Sequence, residues 1–176
     1  MQVFALVGSL RASSSTTALA RALGRVAPAG VAVEIYGDLA ALPAFCPDLD
    51  DAPPDAVVAL RAAVGRAQAL AVVSPEYAHG MPGALKNALD WLVSALEPLG
   101  KPVLLVCASP AGAVHAHAQF AEVLRTMSLP LVDGGAHVFN RGRLDAAGEV
   151  DDAALLAHLA GAMQALVVAG TSATPD

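Results

Sequence analysis

Two short segments hold the residues whose types and spacing could do chemistry. In Gly8-Ser9-Leu10-Arg11-Ala12-Ser13-Ser14-Ser15-Thr16, hydroxyls at Ser9, Ser14, Ser15 and Thr16 accompany one guanidinium, that of Arg11. Ser14 reads as a helix N-cap, which leaves the N–H groups of Ser15 and Thr16 pointing out of the helix with its positive end behind them. An anion fits there, and the Arg11 fork matches phosphate oxygens. The spacing is neither the GxxxxGK(S/T) of a Walker A loop nor the GxGxxG of a dinucleotide site, so the expected phosphate belongs to a mononucleotide. By itself the segment also fits a polar turn with a serine cap.

The second segment is Ser74-Pro75-Glu76-Tyr77-Ala78-His79-Gly80-Met81-Pro82-Gly83-Ala84-Leu85-Lys86-Asn87. Pro75 stiffens its start, Tyr77 offers an aromatic face or edge, and Gly80 and Gly83 let backbone approach a flat ligand. Backbone N–H groups of such a loop suit a ring that gathers negative charge on reduction. Glu76 reads as a loop-bracing or subunit-contact carboxylate within this ring-bordering stretch.

For both segments to face one ligand, each must leave the carboxyl end of a strand. Val3 to Val7 is an apolar run ended by Gly8, the mark of a strand covered on both faces. Leu19, Leu23 and Val26 then repeat at helical spacing up to Pro28-Ala29-Gly30. Val31, Val33 and Ile35 alternate with Ala32, Glu34 and Tyr36, which predicts an edge strand. After a Pro-containing connection from Leu42 to Pro54, Val57, Leu60 and Val64 predict a second helix and Leu70 to Val73 a buried strand. Pro82 opens a third helix carrying Leu85, Leu89, Leu92 and Leu96. Val103 to Val106 predicts a fourth strand, Phe120, Leu124 and Met127 a fourth helix, and Leu129 to Val132 a fifth strand. Asp151 caps a last helix with Leu155, Leu159, Met163 and Leu166.

Five strands alternating with five helices predict an α/β three-layer sandwich around a five-stranded parallel sheet, because parallel neighbours need helical crossovers. Right-handed crossovers and an edge position for the second strand favour the flavodoxin-like order 2-1-3-4-5. In flavodoxin itself, flavin mononucleotide (FMN) sits at the switch between strands 1 and 3, and the two segments here follow those strands. Residues 1–169 are expected to form one FMN-binding domain and 170–176 a flexible tail.

A chain of 176 residues holds one substantial core. A net charge of −6 with scattered Lys and Arg excludes a general nucleic-acid partner. Hydrophobic residues make up 56%, yet no uninterrupted apolar run approaches the roughly 20 residues of a membrane helix, so no membrane partner is expected. The start has no basic region or cleavage site, which predicts a cytoplasmic protein. Cys46 and Cys107 form no CxxC pair and read as reduced thiols rather than a redox disulfide or zinc site. His115 and His117, two apart, do not share a helix face, so they read as surface residues rather than metal ligands. His79 reads as solvent-facing, and Lys86 and Asp90 as an i, i+4 pair.

Gly8-Ser9-Leu10-Arg11 followed by Ser14, together with Pro75-Glu76-Tyr77 and Pro82-Gly83-Ala84-Leu85-Lys86-Asn87-Ala88-Leu89-Asp90-Trp91, resembles the NAD(P)H-dependent FMN reductases. That family includes quinone, chromate and azo-dye reductases. The likeness runs from the first strand to about Trp91, then more loosely through the fourth strand and its Ser109-Pro110 loop. It implies FMN as cofactor and NADPH or NADH as co-substrate. It further implies that Ser9, Arg11, Ser14, Ser15 and Thr16 hold the FMN phosphate. Pro75, Glu76, Tyr77, Ala78, His79 and Gly80 would border the isoalloxazine, and Ser109, Pro110 and Gly112 would close its other side. The sequence departs from the family at Thr16 and Ala78, where asparagine is common, and at Gly80, where serine is frequent. Any flavin contact at Ala78 must then come from backbone.

The expected activity is hydride transfer from NAD(P)H to flavin N5 and onward to a small-molecule acceptor such as free flavin, a quinone or an azo compound. No catalytic acid, base or metal is assigned. The alternatives are a flavodoxin-like electron carrier or FMN-binding module without nicotinamide activity, and an anion-binding domain without flavin. A homodimer or homotetramer is expected, because the family dimerises on the third helix. Trp91, about 100° around that helix from Leu92, reads either as core or as apolar surface of a subunit contact beside Tyr77 and Met81, the contact being favoured by that habit of the family.

Overall fold

Val3, Ala5 and Val7 are buried on one face of the first strand and Phe4 and Leu6 on the other, as a strand must be when helices cover both sides of a sheet. The computed structural model describes residues 1–11 and 13–172. Its elements are β1 (Gln2–Val7), α1 (Ser15–Val26), β2 (Ala32–Tyr36), α2 (Asp55–Arg66), β3 (Ala69–Ser74), α3 (Gly83–Val93), β4 (Val103–Ser109), α4 (Val114–Thr126), β5 (Leu131–Val138) and α5 (Ala153–Ser172). The strands are parallel in the order β2-β1-β3-β4-β5, the flavodoxin-like arrangement expected. Register pairs such as Val7 with Val73 and Ser74 with Cys107 bring the carboxyl ends of β1, β3 and β4 level, so their loops share one edge.

α1 and α5 cover one face over Ala5, Ala69, Ala71 and Val106; α2, α3 and α4 cover the other over Phe4, Leu6, Val72 and Leu105. Alanines on the first face meet Ala18 and Ala22 of α1, which lets that helix approach the sheet closely. α5 carries no charged residue and, over Ala153–Thr171, is long and apolar enough to cross a membrane by length and composition, although no such segment was expected. One face of it, with Leu155, Leu159, Met163 and Leu166, is buried against the sheet, and a third of the apolar window is buried in all.

Five details differ from the expectations. The fifth strand starts at Leu131 rather than Leu129, because Ser128 turns left-handed (φ 59°) and the Leu129 N–H closes back on the Leu124 carbonyl at 3.1 Å, ending α4. It then extends to Val138 through Asp133, Gly134 and Gly135, poor strand formers accommodated by a bulge against β4. A Cβ at Gly134 would meet Val106 Cγ2 at 2.6 Å, so glycine is required there. Leu96 lies beyond the end of α3 and is 82% exposed. The cap of α5 is Asp152, whose Oδ1 accepts the Leu155 N–H at 3.0 Å; Asp151 instead donates its N–H to the Arg143 carbonyl at 3.0 Å. Residues 170–172, expected in a tail, continue α5, while 173–176 lie outside the described residues.

The fifth difference concerns Trp91, which is fully buried rather than facing a partner. The connection between β2 and α2 folds over it: Phe45 packs edge-on with ring centroids 5.0 Å apart, and the Trp91 Nε1–H donates to the Pro43 carbonyl at 2.9 Å. Asn87 pairs with the same connection, its Oδ1 accepting the Phe45 N–H at 2.7 Å and its Nδ2 donating to Pro43 at 2.9 Å. Arg61 completes the clasp by bonding the Trp91 carbonyl and Asp50.

Candidate active site

The two sequence segments meet at Gly8. Its N–H donates to the Val73 carbonyl at 2.9 Å, and a Cβ there would stand 2.9 Å from both Leu85 Cδ2 and Ser74 Oγ and 3.1 Å from Pro75 Cδ. Only glycine lets the two loops pack this closely. Beyond it, Ser14 caps α1: its Oγ accepts the Thr17 N–H at 2.9 Å and lies 2.7 Å from the Thr17 hydroxyl. Ser15 and Thr16 occupy the first turn, where N–H groups have no partner within the helix. Thr16 is almost wholly buried, Ser14 is half-buried and Arg11 is exposed.

Pro75 is buried where β3 ends, and the chain then makes a tight turn in which Tyr77 and Gly80 exchange both backbone bonds, at 3.0 and 2.9 Å. Ala78 and His79 hold positive φ of 49° and 57°, a left-handed conformation that asparagine or glycine tolerates better than alanine. Gly80 needs no such freedom, since a Cβ would make only ordinary contacts at 3.5 Å or more. α4 braces this loop from outside. Glu76 Oε2 accepts the Ala116 N–H at 2.9 Å, and Gln119 accepts from the Met81 N–H and donates to the His79 carbonyl, both at 3.2 Å. His79 stacks on His115 with centroids 4.3 Å apart.

The third loop follows β4. Ser109 Oγ accepts the N–H groups of Ala111, Gly112 and Ala113 at 3.1–3.2 Å, gathering the turn under the start of α4. Gly112 (φ 109°) and Ala113 (φ 54°) are left-handed, and Gly112 is buried. Cys107, just below, has its thiol pushed up to about 12 by burial, reinforced by the charges of Glu76 and Asp133, so it stays protonated and unreactive.

These loops enclose a cavity of about 540 Å³, within the range of small-ligand sites. Of the residues expected there, Ser9, Arg11, Ser14, Ser15, Thr16, Pro75, Glu76, Tyr77, Ser109 and Pro110 line it. Ala78, His79, Gly80 and Gly112 do not; they form the turns behind the lining. Sequence reasoning missed Ser13, Ala108 and the segment Asn140–Gly142, which arrives from β5. It also missed Gln119, which carries no motif and acts only through its place on α4.

The family model for NADPH-dependent FMN reductase matches residues 1–143. The chain belongs to this family. It is therefore an NAD(P)H-dependent, FMN-using oxidoreductase, which sets aside the carrier without nicotinamide activity. A quinone reductase from Escherichia coli is 35% identical over 178 residues, covering 94% of the enzyme and 93% of that protein. An NAD(P)H-dependent FMN reductase from Pseudomonas aeruginosa is 36% identical over 124 residues, 68% of the enzyme and 66% of that protein. Among solved structures, the flavoenzyme NAD(P)H:(acceptor) oxidoreductase FerB from Paracoccus denitrificans superposes with a TM-score of 0.82 at 26% identity, covering 97% of each chain.

The cavity's donor set suits the family's cofactor. The start of α1, its hydroxyls and Arg11 are complementary to a phosphate, and the apolar edges of Pro75, Tyr77 and Pro110 to a flat ring.

Proposed function

We propose that the enzyme binds FMN in this cavity and reduces small quinone-like acceptors at the expense of NAD(P)H. The observation that carries this reading is the meeting, in one cavity, of the α1 amino terminus and Arg11 with Pro75–Tyr77 and Ser109–Pro110. Arg11, the Ser9, Ser14, Ser15 and Thr16 hydroxyls and the first N–H groups of α1 hold the phosphate. Pro75, Glu76 and Tyr77 border the ring on one side and Ser109 and Pro110 on the other, with Ala78, His79, Gly80 and Gly112 shaping the loops behind them. Bound FMN supplies the redox chemistry, taking a hydride and passing electrons on. The protein's part is positioning: α4 keeps the ring-bordering loop in place through Ala116 on Glu76 and Gln119 on Met81, and the bonds to Ser109 Oγ do so on the other side. The quinone reductase relative supports a quinone as acceptor.

Tyr77 and Val114, 54% and 58% exposed near the cavity, support a two-fold dimer covering this end of the molecule. Two free thiols and the need for NAD(P)H support a cytoplasmic setting. The test is reconstitution: the protein should take up FMN in preference to riboflavin and then oxidise NAD(P)H beyond one equivalent per flavin only when benzoquinone is present under anaerobic conditions. Equal affinity for riboflavin would remove the phosphate assignment, and NAD(P)H oxidation indifferent to the quinone would remove the acceptor.

A further inference from the structure

Arg141 stands at the same cavity as Arg11 but comes from the far edge of the sheet, and neither motif segment contains it. The turn that carries it is held at both ends. Phe139 is buried and its N–H donates to the Ser109 carbonyl at 2.9 Å; Asn140 Oδ1 accepts the Gly142 N–H at 2.9 Å; and the Arg143 carbonyl accepts the Asp151 N–H at 3.0 Å. Neighbouring arginines are spoken for: Arg143 pairs with Asp152 at 2.7 Å, and Arg21 and Arg25 with Glu149 at 2.6 and 3.3 Å. Arg141 is exposed, and among the described residues no carboxylate pairs with it. The single carboxylate among the lining residues, Glu76, is engaged with the Ala116 N–H. The lining thus holds two guanidiniums against one occupied carboxylate, around a gap of ligand size.

A phosphate monoester carries close to two negative charges at neutral pH, and a guanidinium on a fixed turn recognises it with two parallel N–H donors. We infer that Arg141 is a second phosphate-recognising residue of this cavity, taking a phosphate monoester on one of its ligands. Two ligands of the reaction carry such a group: FMN at its 5′ end, and NADPH at the ribose 2′ position that distinguishes it from NADH. This assignment rests on the FMN reading above.

The test is Arg141→Gln in the full chain. Dissociation constants for FMN and riboflavin are read from flavin fluorescence, and KM for NADPH and NADH with benzoquinone as acceptor. The expected result is a loss of about tenfold confined to the phosphorylated member of one pair, partly restored in Arg141→Lys. A loss confined to FMN assigns the 5′-phosphate; a loss confined to NADPH assigns the 2′-phosphate. Unchanged constants, or equal losses for both members of each pair, overturn the assignment. A wild type that fails to bind FMN overturns the FMN reading together with it, whereas a wild type that binds FMN alongside an unaffected Arg141→Gln overturns Arg141 alone. The thermal midpoint should stay at the wild-type value, because the side chain is exposed.

Discussion

The loop from Gly8 to Thr16 is held by bonds it makes to its own neighbourhood: Ser14 Oγ takes the Thr17 N–H three residues on, and Ser9 Oγ faces the Arg11 N–H at 3.4 Å. The loop from Pro75 to Gly80 is held from about 40 residues away, by Ala116 on Glu76 and by Gln119 on His79 and Met81. Apart from Gly8, which bonds Val73 and packs against Ser74, Pro75 and Leu85, the described bonds of the first loop are therefore local ones that a short stretch of sequence can encode. The second takes its shape from a helix on the far side of β4. It also carries two non-glycine residues in left-handed backbone, at a cost on the order of 1 kcal/mol or more each, which the α4 brace offsets.

The largest effect should come from the one residue the two loops share. Gly8→Val places carbon where Leu85, Ser74 and Pro75 already stand, so it should destabilise the fold by about 3 kcal/mol in urea unfolding and weaken FMN and riboflavin binding together. Unaltered stability would mean that the loops part without cost.

Next in size is Arg11→Ala, which removes a charged phosphate contact without touching the brace. FMN affinity should fall by about 1.5–3 kcal/mol, roughly 10- to 150-fold, with riboflavin affinity and the unfolding midpoint unchanged. If riboflavin weakens equally, Arg11 belongs to the ring side and the division between the loops fails.

The smallest effect should follow Glu76→Ala, which releases the second loop from α4. A loss of about 1 kcal/mol in binding should appear equally for FMN and riboflavin, because the phosphate cradle is untouched. A loss specific to FMN would show that the braced loop reports on the phosphate after all.

How far the site was legible follows the same division. Ser14 as a cap, Gly8 as a turn and Pro75 as the end of a strand are each visible in their own few residues, and all stand where they were expected. Trp91 is not legible in that way: its position on α3 is plain, but the cover that Pro43 and Phe45 provide depends on how a connection of irregular structure folds back. The last strand runs on past Val132 to Val138 for a related reason, since Asp133-Gly134-Gly135 has no strand signal until β4 supplies the partner for its bulge.

What the sequence determined by itself is the alternation of apolar strands and amphipathic helices, and with it the sheet order and the two loops at its carboxyl edge. These follow from periodicity and capping, which act over a few residues. Only the tertiary structure decided that Gln119 braces the ring-bordering loop, that Trp91 is core, and that the loop after β5 brings Arg141 to the cavity. Each of these joins residues dozens of positions apart, and such contacts are selected by the packing of whole elements, where no local pattern records them.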